Sequence, residues 1–412
     1  MEKSLLIIGF VWPEPKSSAA GSRMLQLIAQ FQNQGYIVTF ASTANTSNNT
    51  FDLSQIGVLT KDIFLNDSSF DDFISNLNPS IVVFDRFMTE EQFGWRVAEQ
   101  CPEALRILDT EDFHGLRKAR ALAQKEGIEV SKDHLQNDTS KREIASIYRC
   151  DLSLIISEAE MDILTRQFKM PESLLYYLPF LLECTSNDHV NQLPSFEVRK
   201  HFITIGNFLH PPNYDAVLYL KQKIWPLIRQ QLPTTELHIY GAYQSQKAVQ
   251  LHKEKEGFLI KGFADDAHEV MQKAKLCLAP LRFGAGLKGK LVDAMQNGTP
   301  CVMSTIAAEG MFGNLEPNGV VEDDPEAFAQ KAVQLYTNPA VWKDKQEYGF
   351  KILKERFNTT SFENQFADKV ATLSGNLKAH RQSNFIGNML QHQTLQSTKY
   401  LSKWIEEKNS NK

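Results

Sequence analysis

Lys290, Asp293 and Asn297 fall at i, i+3 and i+7, so any helix beginning near residue 288 carries all three on one face. Just before them stands Gly284-Ala285-Gly286, within the stretch LCLAPLRFGAGLKGKLVDAMQNGTPCVM. A small-residue loop between a strand and a helix leaves amide N–H groups unpaired beside the positive end of the helix dipole. That is a site for an anion, most often a phosphate. Lys290 supplies a point charge suited to a diphosphate. Asp293 supplies an acceptor for two vicinal hydroxyls, such as those of a ribose. An ordinary amphipathic helix with a solvated polar face has the same spacing.

A second concentration of ionisable groups is LDTEDFHGLRKAR, with Asp109, Glu111, Asp112 and His114 behind a short strand. The grouping invites a general acid/base assignment, although carboxylates capping the next helix beside an exposed histidine look identical in sequence. The first loop, WPEPKSSAAGSR, places Gly21 where a backbone can approach a ligand and Arg23 where it can meet an anion. Ser22 as a plain helix cap is a complete alternative there. The other histidines are dispersed and no spacing forms a metal motif.

The elements that position these groups alternate. Strands are predicted at Leu5–Trp12, Tyr36–Ala41, Ile63–Leu65, Ile81–Asp85, Arg106–Asp109 and Leu152–Ser157, with helices between them, the first over Ser22–Gln34. A second series has strands at Phe202–Gly206, Leu237–Tyr240, Phe258–Ile260, Leu276–Ala279 and Cys301–Ser304. Its helices lie near 213–231, 243–255, 265–274 and 288–297. The alternation predicts an α/β fold of two Rossmann-like parallel-sheet domains facing a cleft. Ligands of such sheets gather at strand C-termini, which singles out loops 12–21, 86–90 and 109–115. The expected boundaries are 1–180 for the first domain, 181–198 for a linker and 199–355 for the second domain. A crossover helix is expected over 356–375 and a basic amphipathic tail over 376–412. In that tail Phe385, Ile386, Met389 and Leu390 repeat the spacing of Tyr400, Leu401, Trp404 and Ile405. Packing on the body or a partner is the ordinary explanation, and attachment to a membrane surface the other.

With 412 residues, 42% hydrophobic, 23% charged and a net charge of −5, the chain has a soluble globular composition and lacks the basic excess of a nucleic-acid binder. Five scattered cysteines, Cys101, Cys150, Cys184, Cys277 and Cys301, argue against a disulfide framework and for a reducing compartment. MEKSLLIIGFVW reads as a first strand, since no small-residue cleavage site follows it. The expected location is cytoplasmic, with membrane contact, if any, at the inner face through the tail.

Pro280-Leu281-Arg282, Gly284-Ala285-Gly286, Lys290, Asp293-Ala294-Met295, Gly298 and Pro300 together resemble the donor-site signature of family-4 retaining glycosyltransferases with the two-domain GT-B fold. Many members have two glutamates here with seven residues between them. The second position falls on Asp293 and the first on Ala285, as in the family branch with a Gly-Ala-Gly loop. The resemblance implies retaining transfer of a sugar from a nucleotide-diphosphate sugar to the hydroxyl of a glycan, lipid-linked or protein acceptor, as in cell-envelope polysaccharide synthesis, with no metal or other cofactor required. It implies a donor set of Arg282, Gly284, Ala285, Gly286, Lys288, Lys290, Asp293, Glu309 and Gly310. Gly21, Arg23, Asp112 and His114 would lie on the acceptor and sugar side. His114, Lys290 and Asp293 are the residues expected to act in catalysis. A non-catalytic nucleotide-sugar-binding partner subunit and a sugar-nucleotide epimerase are the alternative functions.

Overall fold

The computed structural model describes residues 3–183 and 186–410. Apolar runs too short for helices become two all-parallel sheets. The first has strands β1 (Ser4–Gly9), β2 (Ile37–Ser42), β3 (Leu59–Asp62), β4 (Ile81–Asp85), β5 (Leu105–Asp109), β6 (Leu152–Ile155) and β7 (Leu175–Tyr177), in the order 3-2-1-4-5-6-7. The second has β8 (His201–Ile205), β9 (Leu237–Tyr240), β10 (Phe258–Gly262), β11 (Ala274–Ala279), β12 (Cys301–Met303) and β13 (Gly319–Val321), in the order 10-9-8-11-12-13. Helices cover both faces, which is why central strands such as LLIIG of β1 and IVVFD of β4 are apolar almost throughout and buried. In each sheet the order reverses beside the first strand of the domain. Crevices that bind ligands form at such switch points.

One expected strand is displaced and two further strands were not expected. The third strand is Leu59–Asp62 rather than 63–65: an edge strand, exposed at all four residues, that pairs with β2 and carries no apolar alternation to reveal it. β7 and β13 are three residues each, too short to show a period. The first helix begins at Ala19, capped by Ser18, whose hydroxyl accepts from the Gly21 amide; Ser22 is not the cap. The helix expected at 243–255 is reduced to Gln246–Val249 and a single turn at Glu254–Glu256.

Segment 181–198 is not a free tether where it is described. Leu182 forms a bridge with Asn358, donating its N–H to Phe357 O at 2.7 Å, and Asn187–Gln192 is helical. Cys184 lies outside the described residues; Cys101, Cys150, Cys277 and Cys301 are buried free thiols. The chain then returns to the first domain. Phe366, Val370, Leu373 and Leu377 bury beside Leu27, Ile28 and Phe31, with the Phe31 and Phe366 rings edge to face at 5.5 Å. Side chains of that size are worth about 1.5–3 kcal/mol each when fully buried, so the return clamps the two domains covalently and by packing.

The last helix, Phe385–Ser410, lies along the helices Arg86–Gln100 and Asp138–Arg149. Polar groups hold it there. Arg96 bonds Ser402 at 3.2 Å and pairs with Glu406, Lys399 pairs with Glu99, and Gln391 donates to Arg149 O at 2.8 Å. Its aromatic face points outward, with Phe385 75%, Tyr400 64% and Trp404 60% exposed. No described helix is long and apolar enough to cross a membrane.

Candidate active site

At the C-terminal end of β11, Pro280 ends the strand and the loop 284–288 leads into the helix Gly289–Gln296. Gly284 (φ +152°) and Gly286 (φ +64°) take conformations that disfavour side chains, so both glycines are required by the backbone. The loop is inserted against the first domain. Ala285 packs with Phe113 and Leu116, and a Cβ on Gly286 would lie 2.8 Å from Asp112 Cβ. The Gly286 amide donates to Glu160 Oε1 at 2.7 Å. The group on that amide is thus a side-chain carboxyl of the chain itself, which burial, then Asp112, pushes up to about 7.

Of the two lysines that follow, only Lys288 folds back on this loop. Lys290 Nζ donates to Asn213 Oδ1 at 2.9 Å, and Lys288 Nζ to the carbonyls of Ala285 and Gly286 at 2.9 and 2.5 Å. Burial lowers both ammonium groups to about 8, with Glu309 opposing the shift at Lys288. Asp293 is pushed up to about 6 by burial, against the pull of His268 and Lys290. Asn297 does not share their role. It is fully buried, bonded to Gln272, His268 and Asp293 O, and fixes the helix end.

Several predicted residues are committed elsewhere. Arg23 is 1% exposed, with its guanidinium on Asp109 at 2.8 Å and on the carbonyls of Leu178 and Pro179, so it braces the sheet and meets no cleft anion. Gly21 is required by packing: a Cβ there would come within 2.4 Å of the Glu14 backbone, so the close approach is the protein's own loop. Arg282 pairs with Asp215 (Nε–Oδ2 2.9 Å) and lies over Tyr219. Glu309 is taken by Arg120 of the first domain in a two-pronged pair at 2.6 and 2.8 Å, and Arg120 also donates to Gly284 O at 2.9 Å. Gly310 (φ +74°) lets Ser157 approach, since a Cβ there would lie 2.4 Å from Ser157 Oγ. A cavity of about 320 Å³ opens beside it, lined by Glu158, Asp162, Ala308, Gly310 and Phe312.

Across from the loop stands His114. Its Nδ1 is 2.9 Å from Asp112 O, 3.1 Å from Asp112 Oδ1 and 3.5 Å from Glu143 Oε1. Burial opposes its charge, but Asp112 and Glu143 win and raise its pKa. Occupation of Nδ1 leaves Nε2 as the nitrogen for a substrate. Burial likewise works against the Asp112 carboxylate, yet Arg117 (2.8 Å) and His114 hold it below its usual value. His210, from the second domain, reaches Arg117 at 3.0 Å, and burial lowers it to about 4. The neutral His210 is thus an acceptor for Arg117 and not the cation that a diphosphate would want.

The helix His114–Glu126 is capped by carboxylates, but not by those nearest in sequence. Glu160 accepts from Phe113 N (2.9 Å), and Glu143 from His114 N (3.3 Å) and Gly115 N (3.0 Å). Glu160, Glu143, Arg120 and Arg117 were all missed. The rule that ligands collect at strand ends would have found Glu160, because ISEAE follows β6, a strand end left off the inspected loops. Arg86 (φ +70°) and Glu111 (φ +63°) hold left-handed backbones at the ends of β4 and β5. Such strain concentrates at functional sites. Burial, then Asp109, pushes Glu111 up to about 8.

Among the described residues no group of three or more His, Cys, Asp or Glu side chains could hold a metal ion. Residues 199–338 match the family described as Glycosyl transferases group 1. An uncharacterised 44.6 kDa protein in the cps region of Klebsiella pneumoniae is 23% identical over 227 residues, 53% of this chain and 55% of that one. The chain thus spans about half the length of the curated relative it matches. Among solved structures, HepE of Anabaena in complex with UDP and glucose superposes with a TM-score of 0.68 at 14% identity, covering 90% of this chain and 100% of that one. A TarM variant of S. aureus, in complex with Fondaparinux, alpha-GlcNAc-glycerol and UDP, gives 0.57 at 15% identity, covering 73% of this chain and 57% of that one. Residues 199–338 are thus similar to the Glycosyl transferases group 1 family, and the chain has the two-domain GT-B fold.

Proposed function

We propose that the protein is a retaining glycosyltransferase that moves a sugar from a nucleotide-diphosphate sugar to an acceptor hydroxyl, in glycan or cell-envelope polysaccharide synthesis. One observation supports this reading: the Gly286 amide meets a carboxyl of the first domain, with Lys288 Nζ on the Gly286 carbonyl and Asp112, the partner of His114, packed against the glycine. The bond from the anomeric carbon to the diphosphate breaks and one to the acceptor oxygen forms. Negative charge grows on the leaving diphosphate, where the amides of 284–288 and the two ammonium groups stabilise it. Each charge-assisted hydrogen bond is worth about 1.5–3 kcal/mol. These groups supply the positive charge, so the reading asks for no metal. Asp293 takes the ribose hydroxyls, and His114 Nε2 serves the sugar or acceptor hydroxyl. Retention rests on the signature around Gly284–Pro300, and closure of the domains keeps water from the donor.

Contact with an anionic membrane surface through the last helix belongs to the same reading and suits a lipid-linked acceptor. Residues 376–412 hold Lys378, Arg381, Lys399, Lys403, Lys408 and Lys412 against only Glu406 and Glu407, in a chain of net charge −5. Their outward-facing Tyr400, Leu401 and Trp404 are the residue types that enter the lipid interface. Flotation with phosphatidylglycerol vesicles tests it, and a Tyr400→Ser/Trp404→Ser chain that floats as well as the parent would refute it.

The deciding experiment incubates purified protein with a panel of nucleotide sugars and glycan or lipid-linked acceptors. Transfer with nucleoside diphosphate release supports the reading. Binding without transfer or hydrolysis makes the chain a non-catalytic partner subunit instead, and conversion of donor with no acceptor present makes it an epimerase.

A further inference from the structure

The nucleotide reading leaves Glu160 without a part, although it is fully buried and touches the loop at its most sensitive point. Glu160 belongs to the first domain and Gly286 to the second. One carboxylate oxygen, Oε1, accepts from both Phe113 N (2.9 Å) and Gly286 N (2.7 Å), while Oε2 is buried with no hydrogen-bond partner. A buried carboxylate oxygen without a donor is costly, so stability alone does not explain the arrangement. The other donor-site groups are occupied in the same way. Lys288 folds back on the Ala285 and Gly286 carbonyls, Glu309 is held by Arg120, and Asp112 packs where a group on Gly286 would project. A diphosphate cannot reach the Gly286 amide while these contacts stand.

We infer that Glu160 is a displaceable latch: in the empty protein its carboxylate occupies the diphosphate position on Gly286 and ties the two domains shut, and the donor binds by taking its place. This deepens the proposed function and rests on it. Phe113 N–H stays with Glu160 after displacement, so the carboxylate keeps one partner in the same domain while the amide passes to the incoming phosphate. The diphosphate offers several oxygens and more charge than one carboxylate oxygen, and it brings Lys288 and Lys290 into use. The exchange frees the domains to part as the donor enters and to close again over it.

The test compares wild type, Glu160→Gln, Glu160→Ala and Asp162→Asn by calorimetry with UDP and GDP, and by hydrogen exchange at Gly286 without ligand. Glu160→Gln keeps a neutral acceptor for both amides, which preserves the fold. Burial pushes the Glu160 carboxyl up to about 7, so at pH 8, where it is ionised, the substitution replaces a charge-assisted bond with a neutral one, and nucleotide affinity should rise roughly fivefold. Exchange at Gly286 should quicken in Glu160→Gln and more so in Glu160→Ala. Asp162 pairs with Arg166 on the exposed side of the same helix. Asp162→Asn therefore controls for loss of a negative charge and should leave affinity and exchange unchanged. Unchanged or weaker nucleotide affinity in Glu160→Gln, with wild type binding in a Lys290-dependent manner, overturns the latch. So does an unprotected Gly286 amide in the ligand-free wild type. If no nucleoside diphosphate binds wild type or either Glu160 variant, the donor-site reading itself fails, and the latch falls with it.

Discussion

Replacing Lys290 with methionine should make the empty protein more stable and its nucleotide site much weaker. Burial lowers the Lys290 ammonium from 10.5 to about 8. At about 1.36 kcal/mol for each unit, keeping it charged at neutral pH costs the fold about 3 kcal/mol. The side chain is only partly screened from water, and its bond to Asn213 contributes about 1 kcal/mol the other way. Lys290→Met should therefore stabilise by about 1–2 kcal/mol, or about 2–8 °C in melting temperature for a unit of this size. Loss of one charge-assisted contact with the diphosphate costs about 1.5–3 kcal/mol, which is about ten- to a hundredfold in affinity. Scanning fluorimetry with and without UDP or GDP reads the first effect, and titration calorimetry the second. A variant that melts lower and binds as tightly as wild type would refute the placement of Lys290 beside the phosphate. Opposite signs are the signature of a residue kept for function at the expense of stability.

Because Lys288 and Lys290 are both lowered to about 8, a diphosphate should bind with proton uptake near that pH and lose affinity above it. Calorimetry in buffers of different ionisation heat reads this, and a flat profile from pH 7 to 9 would contradict it. The same lysines act on stability with the reverse sign. Their folded values lie below the unfolded 10.5, so their penalty is complete below pH 8 and lifts between 8 and 10.5; chemical denaturation across that window should show the ligand-free chain gaining from it. Arg120→Ala removes the pair with Glu309 and the bond to Gly284 O. It should shift the domains towards an open form by about tenfold or more, read as a larger radius of gyration in solution scattering; an unchanged radius would show that these contacts do not hold the cleft. His114→Ala should lower kcat by about a hundredfold or more with KM within a few-fold; raised KM with intact kcat would make His114 a binding residue only.

The sheets were legible wherever burial on both faces forced a continuous apolar run, as in β1, β4 and β11. β3 was misplaced because LTKD is exposed on an edge, and β7 and β13 are too short for any period. The turn at 284–288 could be read because Gly284 and Gly286 mark backbone constraints in the residue types themselves. Arg23 was misread for a different reason: an arginine that braces a buried aspartate looks the same in sequence as one that waits for a phosphate. Glu160, Glu143 and Arg120 were missed because their meaning comes from contacts 28 to 189 residues away in the chain. The tail's apolar spacing was read correctly, but spacing does not say which side of a helix faces the body. Arg96, Glu99 and Arg149 hold its polar side and leave Tyr400 and Trp404 outward.

The most direct measurement of the central claim is a crystal structure of the protein grown with a nucleoside diphosphate or its sugar conjugate. The account predicts a phosphate oxygen on the Gly286 amide, Lys290 Nζ within hydrogen-bond distance of the diphosphate, the ribose on Asp293 and the sugar towards His114. A nucleotide bound elsewhere, with Gly286 still donating to Glu160, would contradict it.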